Sequence, residues 1–258
     1  MLDYLDILAQ EATKTIKEGY YEGGPYVEGV EESLKKAILN CKRNPVISEI
    51  KFASPSSGRL RDKAHPRKVA MEMEEGGAIG ISVLTEPKRF QGQIEFISQI
   101  RGLITIPLLM KDIIVSQLQI EAASKMGANA VLLIQALFQR GYCPTSVQGM
   151  ISYAHSRGLE VLLEAHTEEE FLLAIDTDAD MIGVNNRDLR TLNVDLKVTE
   201  RILTSHLPTE KVIVSESGIN SAKDIHRLRQ YGAQAVLVGT AIMRSEDIRG
   251  RVKELVEL

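Results

Sequence analysis

From residue 45 onward one pattern recurs eight times: a short β-branched, apolar run followed by a longer amphipathic stretch. The apolar runs fall at 46–51, 79–84, 107–111, 130–134, 161–165, 181–184, 212–215 and 235–238. The amphipathic stretches fall at 66–75, 93–101, 117–126, 147–157, 168–175, 197–205, 222–230 and 242–258. Runs apolar at nearly every position belong to strands buried on both faces, and so to a parallel sheet covered by helices. Glycines at 76–77, 127, 158 and 232 precede the next run. Each supplies the left-handed residue that stops a helix and turns the chain back. Eight strand–helix units predict an α/β chain folded as one (β/α)8 TIM barrel, where 258 residues alone would allow two domains. The rival, a doubly wound open sheet, expects GxGxxG after its first strand, and that motif is absent.

Residues 1–44 read as a helical N-terminal extension of this single 1–258 domain. Leu2, Leu5 and Leu8 begin one helical stripe, and Val30, Leu34 and Leu39 lie in a second. The Gly- and Pro-containing stretch 19–25 is the loop between them.

In such a barrel the C-terminal ends of the strands build the functional rim. Here they carry Glu49 and Lys51, Thr85-Glu86, Lys111-Asp112, Gln135, Glu164 with His166, Asn185-Asn186-Arg187, Ser215-Glu216-Ser217-Gly218 and Gly239-Thr240. Glu49 and Lys51 are two apart, so on a strand they face the same side. Such charges are costly to bury unless paired or used. A solvated end face does not account for Lys51, Lys111, Glu164 and Glu216 embedded in apolar strands. Glycines after the seventh and eighth strands, Gly218 and Gly239, allow backbone N–H groups to approach an anion. Those loops are the frequent phosphate site of these barrels, so a phosphorylated small molecule is the expected partner.

Net charge −4 leaves no footprint for nucleic acid, and no run of about 18 apolar residues spans a membrane. The start of the chain lacks a signal-peptide pattern, and Cys41 and Cys143 form no disulfide framework, so a cytoplasmic location is expected. The five histidines show no metal-ligand spacing, and no nucleotide loop is present; neither metal nor cofactor is expected. Interleaved lysines and carboxylates shift one another's pKa values, which suits general acid–base work on a sugar phosphate. A Schiff-base role for Lys51 or Lys111 is the competing use, and spacing does not separate the two.

The motifs resemble those of the indole-3-glycerol phosphate synthase family. They are Glu49-Ile50-Lys51 with Ser54-Pro55-Ser56, Val83-Leu84-Thr85-Glu86-Pro87 with Phe90-Gln91-Gly92, and Lys111-Asp112. Glu164-Ala165-His166, Gly183 through Leu189, Glu216-Ser217-Gly218 and Val238-Gly239-Thr240 follow in order, so the resemblance spans nearly the whole chain. It implies a cofactor-free carbon–carbon lyase of tryptophan biosynthesis. The substrate it implies is 1-(2-carboxyphenylamino)-1-deoxyribulose 5-phosphate, which closes to an indole with loss of carbon dioxide and water.

Carried over residue by residue, Lys111 is the general acid on the ribulose carbonyl. Lys51 contacts the anthranilate carboxylate and is a candidate acid for the later dehydration; Glu164 is the other acid/base candidate, and the sequence does not divide the work between them. Glu49 and Asn185 orient these groups, and Glu216 lies near the substrate hydroxyls. Ser54, Ser217, Gly218, Gly239 and Thr240 hold the phosphate, in a loop expected to be mobile around Ser54. Arg187 and Leu189 belong to the loop after the sixth strand, with Arg187 paired to Glu216 or a neighbouring rim carboxylate. The chain is expected to act as a monomer, although the sequence does not set its oligomeric state.

Two positions depart from the family pattern. Phe52 stands where an Arg is usual, and Ile113 stands where an aromatic is typical. An aromatic there would stack on the anthranilate ring, a contact of roughly 1 kcal/mol. Three rivals remain in view: phosphoribosylanthranilate isomerase, a silent phosphate-binding barrel and a Schiff-base aldolase. The first needs a Cys/Asp pair on its rim, and neither Cys41 nor Cys143 ends a strand. The second predicts an eroded rim, yet Lys51, Lys111 and Glu164 all stand.

Overall fold

The computed structural model describes residues 2–54, 58–61, 65–207 and 209–257; for Ser54 it describes the backbone alone. Eight parallel strands close into a barrel, each hydrogen-bonded to its sequence neighbours and the last to the first. They are β1 (Val46–Ile50), β2 (Gly80–Leu84), β3 (Leu108–Lys111), β4 (Ala130–Ile134), β5 (Glu160–Ala165), β6 (Met181–Asn185), β7 (Val212–Glu216) and β8 (Ala235–Val238). Helices alternate with them, giving the expected (β/α)8 barrel.

Alternation along a strand explains why the runs are apolar throughout. In β4, Ala130, Leu132 and Ile134 join the barrel interior with Ile47, Leu109, Leu162 and Val214. Val131 and Leu133 of the same strand point outward to the helical layer with Met150, Ile151 and Ala154. The glycines at the helix exits behave as expected: Gly77, Gly127, Gly158 and Gly232 have φ of 96°, 87°, 74° and 105°.

The segment before the barrel covers both of its ends. The helix Tyr4–Lys17 starts at a reciprocal cap between Asp3 and Asp6 and lies across the C-terminal rim. Arg140, after β4, binds Asp3 at 2.7 Å and Asp6 at 2.8 Å, while Arg89, after β2, pairs with Glu11. A second helix, Leu34–Asn40, closes the opposite end. Its Leu34 N–H donates to Glu160, the first residue of β5, at 2.7 Å, and Leu34 packs against Gly80 at the start of β2.

Several expectations need correction. Leu2 is 58% exposed and Leu39 56% exposed, and Val30 precedes the second helix. Leu5, Leu8 and Leu34 are buried as expected, and Ala9, Ala12 and Ile38 complete the two stripes. Stretch 242–258 is two helices, Thr240–Met243 and Ile248–Val256, because Asp247 caps the second through Gly250 N at 2.8 Å. Gln135 follows β4 as expected and is buried there, but it also opens an unforeseen short helix, Gln135–Gln139.

Candidate active site

Barrel closure gathers the strand-end charges around one cation. Lys111, the last residue of β3, has its Nζ 3.5 Å from Glu164 Oε2 of β5 and 3.9 Å from Glu49 Oε2 of β1. It also donates to Glu216 Oε2 at the end of β7. Lys51, just past β1, pairs with the other oxygen of Glu49 at 2.6 Å, as the i, i+2 spacing requires. Glu49, Glu164 and Glu216 are buried, and the two lysine side chains retain 15–17% exposure into a cavity of about 480 Å³.

Two glycines make this packing possible. A Cβ on Gly183 of β6 would strike Glu216 Oε1, and one on Gly239 would strike Glu49 Oε1. Both carboxylates therefore lie over a bare backbone, which lets them reach inward from their strands.

The charges set one another's protonation. Burial opposes charge on Lys111, but Glu216, Glu164 and Glu49 together outweigh it and hold its pKa above the ordinary lysine value. Burial alone would raise Glu164; Lys111 and His166, with a hydrogen bond from Asn185, hold it below the carboxylate range. Burial dominates at Glu216, which rises to about 7 despite Lys111, with Glu164 adding to the rise. Behind Glu164 stands His166, with Nε2 3.1 Å from Glu164 Oε1 and Nδ1 3.3 Å from Glu170 Oε2. Burial disfavours the imidazolium, but those two carboxylates raise its pKa to about 9. Three buried carboxylates and one firmly protonated lysine can deliver and retrieve protons at the cavity floor.

The cavity is graded. Leu8, Phe90, Ile113, Leu132, Ile134 and Leu189 line an apolar side, and Ser217, Gly218, Gly239 and Thr240 line it near β7 and β8. Ser217 and Gly218 take consecutive left-handed conformations, φ 67° and 83°. Asn185 faces the cavity, and its Oδ1 accepts from Arg187 N at 3.0 Å. Of the expected phosphate group, the Ser54 side chain and residues 55–57 lie outside the described residues; Ser54 itself pairs through its backbone with Gly58.

Arg187 departs from expectation. Its guanidinium donates to the Leu192 carbonyl at 2.9 Å, within its own loop, and it forms no ion pair with Glu216 among the described residues. Glu216 is taken by Lys111, and burial lowers the Arg187 pKa against the pull of Glu49. Phe52 turns toward the helical layer and packs edge-on against Phe96, ring centroids 5.6 Å apart. Ile113 is buried at the apolar side of the cavity, which the aromatic rings of Phe90 and Tyr4 also line.

Sequence reasoning assigned no residue of the N-terminal segment to the site. Tyr4 and Leu8 line the cavity, and Tyr4 Oη is buried with no hydrogen-bond partner among the described residues. Tyr20 and Tyr21 bolt the segment to the rim: Tyr20 Oη donates to Thr85 O at 3.1 Å and accepts from Ile94 N at 2.9 Å. Tyr21 Oη donates to Asp112 Oδ2 at 3.0 Å. Two large aromatics inside a Gly-rich loop were the available signal. Among the described residues, no three or more His, Cys, Asp or Glu side chains are grouped to hold a metal ion, and no helix is long and apolar enough to cross a membrane.

Two solved barrels share the fold at low identity. A thiamine phosphate pyrophosphorylase from Pyrococcus furiosus matches with TM-score 0.60 and 19% identity, over 86% of this chain and 96% of that one. An N-acetylmannosamine-6-phosphate 2-epimerase from Clostridium perfringens matches with TM-score 0.61 and 15% identity, over 86% and 95%. Sequence relatives are nearer. The indole-3-glycerol phosphate synthase of Methanocaldococcus jannaschii is 43% identical over 227 residues, covering 86% of this chain and 82% of its own. The enzymes of that name from Campylobacter curvus and Pyrococcus furiosus are each 40% identical, over 90% and 87% of this chain and 87% and 96% of theirs. The family model for indole-3-glycerol phosphate synthase matches residues 14–255. With that match reaching from the N-terminal helix to the last one, the chain belongs to the indole-3-glycerol phosphate synthase family of carboxy-lyases.

Proposed function

We propose that this chain closes 1-(2-carboxyphenylamino)-1-deoxyribulose 5-phosphate to indole-3-glycerol phosphate, releasing one carbon dioxide and one water, as a step of tryptophan biosynthesis. The observation that carries this reading is the Lys111 ammonium held among Glu49, Glu164 and Glu216 beside an apolar cleft. In the proposed reaction the aryl carbon bearing the carboxylate attacks the ribulose carbonyl carbon. The carbonyl oxygen takes its proton from Lys111, the carboxylate leaves as carbon dioxide, and the new hydroxyl departs as water.

The protonation state of Lys111 favours this use over a Schiff base. A lysine held above its ordinary pKa lacks the free lone pair that imine formation requires. Proton donation then needs the developing alkoxide to displace one carboxylate from the ammonium, a contact stronger in the transition state than before it. Glu164 and Lys51 share the proton transfers of the dehydration, with Glu49 and Asn185 orienting them. Glu216 anchors Lys111 and lies near the substrate hydroxyls. The aryl ring would occupy the side lined by Phe90, Ile113, Leu132 and Leu189, with the carboxylate toward Lys51. The phosphate would sit at Ser217, Gly218, Gly239 and Thr240, with Ser54 as an expected ligand. Arg187 would act within its loop.

The same reading makes the chain a cofactor-free, cytoplasmic monomer in which 1–258 is one barrel domain and 1–44 its N-terminal extension. Incubation of folded protein with the carboxyphenylamino-deoxyribulose phosphate should raise indole fluorescence. Folded protein that produces none would sink the reading.

A further inference from the structure

One buried side chain outside the cavity hydrogen-bonds the backbone that lines it. Asn186, the residue after β6, is 1% exposed. Its Oδ1 accepts from the Thr199 backbone N–H at 3.1 Å; that N–H can only donate, so the orientation of the amide is fixed. The Asn186 Nδ2 then points at Ser215 Oγ, the Glu216 carbonyl and the Ser217 carbonyl, at 3.0, 2.9 and 3.2 Å. Thr199 Oγ1 is 2.8 Å from Asn186 Oδ1 and 2.8 Å from Ser215 Oγ. Only one direction of donation satisfies all three groups: Asn186 to Ser215, Ser215 to Thr199, Thr199 back to Asn186. The closed ring commits one amide hydrogen to Ser215 and leaves the other for the two carbonyls. Those carbonyls belong to the residue that grips Lys111 and to Ser217, whose left-handed backbone, φ 67°, is strained for a side chain with a Cβ.

The geometry points to Asn186 as a positioning residue that locks the Ser217–Gly218 turn in the shape that grips the substrate phosphate. This rests on the phosphate assignment made above for that turn. A Ser at φ 67° followed by Gly at 83° persists only where surrounding bonds over-determine it, and the amide bond to the Ser217 carbonyl supplies one from outside the turn. Without it the turn relaxes, and the cavity-lining backbone of Ser217 and Gly218 loses its shape.

The test uses the full chain and two wild-type readouts: indole production, and affinity for inorganic phosphate followed by its 31P resonance. Phosphate binding without indole production would remove the synthase reading and leave this proposal standing; a wild type that does not bind phosphate overturns it. Asn186→Asp keeps the acceptor for Thr199 but turns an oxygen toward the two carbonyls. It should weaken phosphate binding and raise KM on the order of tenfold, with a much smaller change in kcat. Thr199→Val breaks the ring yet leaves the bond to the Ser217 carbonyl, so it should lower the melting temperature while largely preserving phosphate affinity. If Asn186→Asp does not fold, Asn186→Ser carries the same expectation. Wild-type phosphate affinity and KM in the Asn186 variant would overturn the proposal. Equal losses of affinity in both variants would also overturn it, since they would mark a role in stability alone.

Discussion

Replacing Lys111 with Met removes the central cation and keeps most of its volume, leaving Glu49, Glu164 and Glu216 facing one another. Breaking a buried ion pair from one side typically costs about 3–5 kcal/mol, because the remaining charge stays desolvated. Here the carboxylates can reduce that cost by taking up protons. In the wild type Glu164 lies below its ordinary 4.5, since Lys111 and His166 outweigh burial, and Glu216 lies near 7, since burial outweighs Lys111. Loss of the cation raises both.

A carboxylate whose folded pKa exceeds its unfolded value destabilises the fold progressively as pH rises through that interval. Protonation on the acid side relieves the penalty. The stability gap between wild type and Lys111→Met should therefore be largest near pH 8 and shrink toward pH 5. One extra bound proton narrows it by at most about 1.4 kcal/mol per pH unit. Urea unfolding across that range measures the gap, and activity should fall on the order of 10²–10⁴-fold at every pH. A gap that stays constant or widens toward acid would refute the electrostatic argument. Near-wild-type turnover would remove Lys111 from its acid role.

Three further outcomes follow from other contacts. Tyr21→Phe deletes the hydroxyl bound to Asp112 at 3.0 Å and should cost about 1 kcal/mol in urea unfolding, with faster proteolysis before residue 44; unchanged stability and proteolysis would show that this bond does not anchor the segment. Burial raises Asp112 from 3.8 to about 6 against its hydrogen bonds from Thr85, Ile113 N and Tyr21, so its contribution to stability declines as pH rises between those values. Asp112→Asn should flatten the pH–stability curve there by up to about 3 kcal/mol, and an unchanged slope would contradict the assignment. Gly239→Ala places a Cβ against Glu49, which should loosen Lys51 and lower kcat/KM on the order of tenfold or more; wild-type kinetics would show that Glu49 needs no such fit.

The barrel was legible because its signals are local. Strands apolar on both faces, such as 130–134, admit one environment, and their boundaries match the structure to within about a residue. The Glu49–Lys51 pair was legible for the same reason, since a strand places i and i+2 together. The break before Asp247 was less visible, because one capping carboxylate decides it. Closure was legible as a shared rim, but the particular pairs it makes were not. Lys111 and Glu216 are 105 residues apart, and their bond depends on Gly183 leaving room for the carboxylate. That bond also explains why Arg187 is not paired with Glu216. The N-terminal segment misled in detail, as Leu2 and Leu39 share the helical spacing but face solvent.

The central claim joins ring closure to decarboxylation within one charged cavity. Substrate carrying 13C in its aryl carboxylate tests this most directly, with indole fluorescence and labelled carbon dioxide followed together. The account predicts one labelled carbon dioxide for each indole formed, with both signals lost in Lys111→Met. Carbon dioxide released without indole, or neither product from folded wild-type protein, would contradict it.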